Sequence, residues 1–276
     1  MKISINTEWL NNNLGKKNLI LIDSSWYLPS EKRNAYEEYL YEHIPGALFI
    51  DIDNLSDNKS NFPHMLPDIN KFEIYTNNCG INNNSIIVIY DSSGIFSSPR
   101  TWWMFKYFNF SKVYILDGGL KKWKKEKRIL TNKFTKPRIG NFKPFENKEL
   151  LSNKENILKN MRSNNTLIID ARSKNRFLGI EKEPRKGLRK GRIPFSKNLH
   201  WKDIINNDGT IKNNKILKDI IKKLKINKEK NLISTCGSGI TACILNIALA
   251  KMNYKNISVY DGSWSEWGSD KSLPIQ

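Results

Sequence analysis

The sequence predicts an α/β protein of two tandem domains, each a central parallel sheet flanked by helices. Three observations lead there. The chain has 276 residues, and at roughly 100–200 residues per domain that length suits one large domain or two ordinary ones. It resembles itself at a nearly fixed offset, the mark of a duplicated unit. Short, almost wholly apolar runs alternate with longer stretches of helical period. That is the pattern of parallel strands buried on both faces and joined by helices.

The repeat can be followed residue by residue. Leu19-Ile20-Leu21-Ile22-Asp23 matches Thr166-Leu167-Ile168-Ile169-Asp170 (170 − 23 = 147). Ile44-Pro45 returns as Ile193-Pro194 (193 − 44 = 149). Ile86-Ile87-Val88-Ile89-Tyr90-Asp91 matches Asn231-Leu232-Ile233-Ser234-Thr235-Cys236 (236 − 91 = 145). Val113-Tyr114-Ile115-Leu116-Asp117-Gly118-Gly119 with Trp123 matches Ile257-Ser258-Val259-Tyr260-Asp261-Gly262-Ser263 with Trp267 (267 − 123 = 144). Four ordered matches at so similar an offset imply tandem duplication of a unit of about 130 residues. The expected division is 1–132 for the first domain, 133–148 for a linker and 149–276 for the second.

Within each unit, Leu19–Ile22, Ile86–Tyr90, Leu167–Ile169 and Ile257–Tyr260 are of strand length and nearly all apolar. Lys215–Leu224 and Thr241–Met252 carry the helical period. Residues 131–148 hold two prolines, one glycine and few periodic apolar positions, which reads as a connection between the units.

Composition removes several classes. Hydrophobic residues make up 39% and charged residues 26%, which suits a folded core and not a disordered chain. No apolar run approaches the ~18 residues of a membrane span. The N-terminus, MKISINTEWLNNNLG, lacks the apolar core of a signal peptide and fits a transit peptide poorly. Three cysteines, Cys79, Cys236 and Cys243, cannot form a disulfide scaffold and point to a reducing, cytoplasmic location. The net charge is +19. Lysine carries most of it, spread along the chain beside abundant asparagine and isoleucine, so the charge reads as compositional and nucleic acid is not expected as a partner. The densest cluster, Lys121 to Arg128, reads as a solvated helix face. No metal, nucleotide or flavin motif is present, so no cofactor is expected.

The two copies differ where chemistry is expected, beyond the carboxyl end of a parallel strand. The second copy has Cys236-Gly237-Ser238-Gly239-Ile240-Thr241 and then an apolar helix from about Ala242; the first has Asp91 in place of the cysteine. Two glycines in the three residues after Cys236 let the backbone curl and turn N–H groups inward. The positive end of the following helix adds to them. Both favour the thiolate, the nucleophilic form of cysteine. Cys79 and Cys243 read as packing residues, Cys243 because it lies in a helical stretch with Ile244, Ile247 and Ala248. A cysteine phosphatase would need an arginine six positions after the cysteine to grip phosphoryl oxygens; position 242 is alanine and the loop carries no charge.

These residues resemble the rhodanese superfamily, and specifically its two-domain 3-mercaptopyruvate sulfurtransferases. The motifs are the Cys236–Thr241 loop and Tyr260-Asp261-Gly262-Ser263-Trp264-Ser265-Glu266-Trp267. In the first copy they are Glu42-His43-Ile44-Pro45-Gly46-Ala47, His64-Met65-Leu66-Pro67 and Ser98-Pro99-Arg100-Thr101-Trp102-Trp103. The resemblance covers nearly the whole chain. It implies that Cys236 carries a persulfide, that the loop residues Gly237, Gly239, Ile240 and Thr241 cradle it, and that Arg176 and Arg185 hold the substrate carboxylate. It further implies that Ser238, His64 and Asp53 relay a proton. The donor so implied is 3-mercaptopyruvate, since relatives that use thiosulfate carry Cys-Arg-Lys-Gly in the loop; the acceptor is a thiol, such as thioredoxin or a small thiol, or cyanide. A thiosulfate sulfurtransferase and a non-catalytic sulfur carrier remain as alternatives. One departure stands out: Gly191-Arg192-Ile193-Pro194-Phe195 replaces the usual Gly-His-Ile-Pro-Gly. Phe195 at a turn glycine raises the expectation of a reshaped turn near Arg185, without loss of activity.

Overall fold

The computed structural model describes residues 2–276. Ten strands form two five-stranded sheets. In the first half they are β1 (Ser4–Ile5), β2 (Leu19–Asp23), β3 (Ala47–Phe49), β4 (Ile86–Tyr90) and β5 (Val113–Leu116); in the second, β6 (Leu151–Ser152), β7 (Thr166–Asp170), β8 (Lys197–Asn198), β9 (Asn231–Thr235) and β10 (Ile257–Tyr260). The orders are β1-β5-β4-β2-β3 and β6-β10-β9-β7-β8, every pairing parallel. The same order twice is the duplication read from the sequence.

Strand alternation sorts the apolar side chains onto two faces of each sheet. Leu21, Val88, Tyr90 and Leu116 pack on the outer face of the first sheet, with Trp123. Ile168, Ile233 and Tyr260 pack on the outer face of the second, with Trp264 and Trp267. The inner faces, through Ile22, Ile87 and Ile89 on one side and Ile169, Leu232 and Val259 on the other, belong to one shared core. The helices Ser98–Tyr107 and Ala242–Lys251 lie in that core and pack on each other. A helix flanked on all sides by protein is apolar all round, which is why Ala242–Leu249 is buried without a break. Both helices begin at the carboxyl ends of the central strands, so their N-terminal turns bring the Asp91 loop and the Cys236 loop to the boundary between the halves.

Residues 132–147 contain no helix or strand but are bound to the first half. Gly140 N–H donates to Asn77 O (2.7 Å), Asn147 N–H donates to Tyr107 O (2.7 Å), and the Phe142 ring is buried. The lysines of the helix Gly119–Lys125 are mostly exposed, as read, with Lys124 paired to Glu42 at 2.5 Å.

Phe195 does not reshape its turn. Ala47 N–H donates to Ile44 O at 3.0 Å and Ser196 N–H donates to Ile193 O at 3.2 Å, the same four-residue turn in each copy. The third residue is left-handed in both, φ +83° at Gly46 and +62° at Phe195. A type II turn demands that conformation, and a bulky side chain adopts it at a cost. The ring is left exposed, with the Arg162 guanidinium 5.7 Å from its centroid.

Candidate active site

The loop that follows β9 is held by its neighbour, the short helix Ser263–Trp267. Cys236 N–H donates to Ser263 Oγ (3.1 Å) and Trp264 N–H donates to Cys236 O (3.0 Å). Gly237 O accepts from both the N–H (2.9 Å) and the Oγ–H (2.7 Å) of Ser265. The Tyr260–Trp267 motif thus fixes the loop's carbonyls from behind. Among the described residues, no protein group accepts from the N–H groups of Gly237, Ser238, Gly239, Ile240 or Thr241. Gly239 has φ +80°, and a Cβ there would come within 3.1 Å of Arg100 and Asp261, so this position excludes a side chain on two counts.

Cys236 is 2% exposed and lines a cavity of about 450 Å³ between the halves. Trp26, Leu28 and Phe96 of the first half face Arg176, Arg185 and Trp201 of the second across it. Arg176 lies over the loop, its Nη2 3.1 Å from where a Gly237 Cβ would stand. Its orientation is set by Glu183, whose Oε2 is 2.5 Å from Nη2. The Glu183 side chain is 1% exposed and also takes Arg172 Nη1 at 2.7 Å. Arg172 is in turn bound through Nε and Nη2 to Asp170 at the end of β7. A chain of charge-assisted contacts therefore runs from the strand end to the cavity-lining Arg176. Among the described residues, Arg185 has no carboxylate in ion-pair contact. Burial pushes its guanidinium below the usual value, Arg176 adds to the effect, and the charges of Cys236, Asp53 and Glu183 oppose it.

The first half contributes the other wall. His64 Nδ1 is 2.9 Å from Ser238 Oγ across 174 residues of sequence, and its Nε2 is 3.1 Å from Asp53 Oδ1. With Nε2–H directed at Asp53, Nδ1 can accept the Ser238 O–H. Trp26 steadies both partners: its indole N–H donates to Asp53 Oδ2 (3.0 Å), and its ring meets the imidazole edge-on at 4.8 Å. Burial alone raises the Asp53 carboxyl, but the His64 hydrogen bond and charge and the Trp26 N–H outweigh it and hold the group below its ordinary value. His64 has φ +63°, a strained conformation of a kind that collects at functional sites.

The structure thus brings together all ten residues singled out from sequence: Cys236 and its loop through Thr241, Arg176, Arg185, His64 and Asp53. Sequence reading gave no role to Glu183, Arg172 or Trp26. A signal existed for the first two, because Arg172 follows a buried strand by two residues and a buried arginine requires carboxylates. Nothing local marked Trp26. Cys79 is partly buried in the shared core and burial pushes its thiol up to about 11. Cys243 is fully buried and raised further by burial, with its Sγ–H donated to Gly239 O.

Comparison with known proteins identifies the family. The model of the rhodanese-like domain matches twice, over residues 6–126 and 153–270. A 3-mercaptopyruvate sulfurtransferase of Escherichia coli K12 is 37% identical over 273 residues, 99% of this chain and 97% of its own. The mitochondrial thiosulfate/3-mercaptopyruvate sulfurtransferase 1 of Arabidopsis thaliana is 36% identical over 295 residues, 99% of this chain and 77% of its own. Among solved structures, SseA from Escherichia coli, described as a 3-mercaptopyruvate sulfotransferase, superposes with a TM-score of 0.88 at 34% identity, covering 96% of this chain and 99% of that one. Two matched domains, a buried cysteine at the end of the second central strand and relatives across the full length together place this chain in the rhodanese family, as a tandem-domain sulfurtransferase of the rhodanese and mercaptopyruvate sulfurtransferase class.

Proposed function

We propose that the donor is 3-mercaptopyruvate and that its sulfur passes through a persulfide on Cys236 to a thiol acceptor. One observation carries the choice: a loop without charge lies beneath two arginines, Arg176 and Arg185, that line the same cavity as the thiol. A thiosulfate dianion would meet no cation in the loop itself, whereas an α-keto acid presents a carboxylate and a keto oxygen that suit two guanidinium groups set back from the sulfur.

The Cys236 thiolate attacks the substrate sulfur. A sulfur–sulfur bond forms, the bond from C3 to sulfur breaks, and its electron pair leaves as the enolate of pyruvate. The proton from the substrate thiol passes by way of Ser238 and His64 to C3 of the enolate, with Asp53 stabilising the imidazolium in between. Loop N–H groups receive the persulfide anion. The acceptor, a small thiol, a thioredoxin-like dithiol or cyanide, then removes the outer sulfur and regenerates the thiolate. A shared enzyme intermediate makes the kinetics ping-pong. The three free thiols fit a reducing compartment such as the cytoplasm. No helix among the described residues is long and apolar enough to cross a membrane.

Side-by-side turnover tests the reading. Pyruvate release from mercaptopyruvate should exceed thiosulfate consumption in kcat/KM. A preference for thiosulfate would transfer the assignment to that donor, and transfer only from pre-loaded Cys236, with neither donor turned over, would make the chain a sulfur carrier.

A further inference from the structure

Arg100 is the third residue of the helix Ser98–Tyr107, in the half that lacks Cys236, yet its guanidinium reaches the back of the Cys236 loop. It is fully buried. Its Nη1 forms an ion pair with Asp261 Oδ1 at 2.6 Å, and its Nη2 donates to the backbone oxygen of His64. The same Nη1 lies 3.0 Å from the position a Gly239 Cβ would take. The other oxygen of Asp261 accepts Leu66 N–H at 2.7 Å. One buried ion pair therefore touches the His64–Leu66 segment of the first half and the Cys236 loop of the second.

The pair is not arranged for stability. Among the described residues, Arg100 Nε has no hydrogen-bond partner, and Nη1 and Oδ1 are close without the alignment of a hydrogen bond. Buried ions with unused hydrogen-bonding capacity repay their desolvation poorly, and apolar side chains between two packed helices would cost less. What the pair does hold is geometry. His64 sits in a left-handed conformation that persists only if its surroundings over-determine it. Arg100 grips the carbonyl of that residue, Asp261 grips the N–H two residues on, and the imidazole is thereby presented to Ser238.

We propose that Arg100, with Asp261, is a positioning residue that holds His64 against Ser238 across the boundary between the halves. The inference rests on the proton relay argued above and extends it to a residue that touches no reacting atom.

The test is a cycle between the double substitution Arg100→Met with Asp261→Asn and the substitution His64→Ala. Asparagine keeps an oxygen for Leu66 N–H, and no charge is left unpaired. Far-UV circular dichroism establishes folding. With mercaptopyruvate, KM should stay within about twofold, because Arg176 and Arg185 are untouched, while kcat should fall roughly 10- to 100-fold, the cost of a misplaced catalytic group. In the His64→Ala background the same pair should lower kcat by less than about threefold. Wild-type kcat in the folded variant, or an equal loss with and without His64, would overturn the proposal. If the double variant does not fold, Arg100→Lys keeps the charge but cannot reproduce the fork that reaches both Asp261 and His64; it should show the same split, and wild-type kcat there would overturn the proposal. Wild-type turnover in His64→Ala would defeat the relay and this inference together, whereas a slow His64→Ala beside fast Arg100 variants defeats this inference alone.

Discussion

The Asp91 loop and the Cys236 loop occupy matching places in the two copies, after β4 and β9, and they differ in what fills them. In the first copy Asp91 turns back on its own loop. Its Oδ2 accepts the N–H groups of Phe96 (2.8 Å), Ser97 (3.1 Å) and Ser98 (2.9 Å) and the Ser98 hydroxyl (2.6 Å). The chain's own carboxylate is the anion of that cradle, at the start of a ten-residue helix, where negative charge is favoured. In the second copy a thiol stands at the head of the loop, and the N–H groups of residues 237–241 have no protein acceptor among the described residues. The comparison teaches that the first copy satisfies the N–H groups of this loop with its own head residue, whereas the second leaves them without a protein acceptor among the described residues.

The strand ends differ in a related way. Asp170 is met by Arg172, which also anchors Glu183. The matching aspartate in the first copy, Asp23, has Ser25 where the arginine would be (172 − 25 = 147). Burial without a cation pushes the Asp23 carboxyl up to about 6, although Ser25 and Tyr90 hydrogen bonds oppose the rise. One copy spends its charged network on orienting Arg176; the other has no such network and keeps a buried carboxyl held by hydrogen bonds from Ser25 and Tyr90.

The sharpest break in the comparison is to give the second loop the residue of the first. Cys236→Asp should fold, with its carboxylate accepting the loop's own N–H groups, and should lose at least ~10³-fold in turnover. Mass spectrometry of the wild type after exposure to mercaptopyruvate should place one added sulfur on the Cys236 peptide. A persulfide confined to Cys79 or Cys243 would contradict the comparison.

Next in size are the arginines. Losing one charge-assisted contact costs roughly 1.5–3 kcal/mol, about 10- to 150-fold. Arg176→Lys and Arg185→Lys should each lower kcat/KM for mercaptopyruvate by that factor, while alkylation of Cys236 by a neutral reagent changes little. Glu183→Gln should mimic a weaker Arg176 substitution, because it loosens Arg176 without removing it. Wild-type kcat/KM in Arg185→Lys would remove that residue from the substrate.

Asp23 supplies a pH test. The unfolded carboxyl ionises near 3.8 and the folded one near 6. Between those values the folded state keeps a proton that the unfolded state has lost, so this group's contribution to stability falls as pH rises through the window. Above it the deficit is complete, roughly 2–3 kcal/mol. Asp23→Asn should flatten that slope and gain stability over the wild type at about pH 7 relative to about pH 4, read from urea denaturation. Parallel profiles for the two proteins would mean that the carboxyl is not the source.

The smallest effect is expected at Phe195. Returning glycine to the left-handed turn position should raise stability by about 1 kcal/mol with kcat/KM unchanged. A loss of activity would show that the turn, or the Arg162–Phe195 contact, reaches the cavity after all.

What the sequence determined by itself is what local pattern can encode. Apolar runs set β2, β4, β7 and β10 within a residue or two of their observed ends, because burial on both faces demands continuous hydrophobicity. The repeat set the number of sheets. The Cys236 loop was legible because its glycines and the helix after it are consecutive. Tertiary structure alone decided the rest. Ser238 meets His64, and Arg100 meets Asp261, only because two helices from different halves share one core. Trp26 becomes a support for Asp53 and His64 only once β2 and β4 are paired. The left-handed turn at Phe195 survived the loss of its glycine because the paired strands and the turn hydrogen bond hold it there. Contacts between residues far apart in the chain leave no periodic or neighbouring trace, since each partner's identity is selected by a surface that exists only after folding.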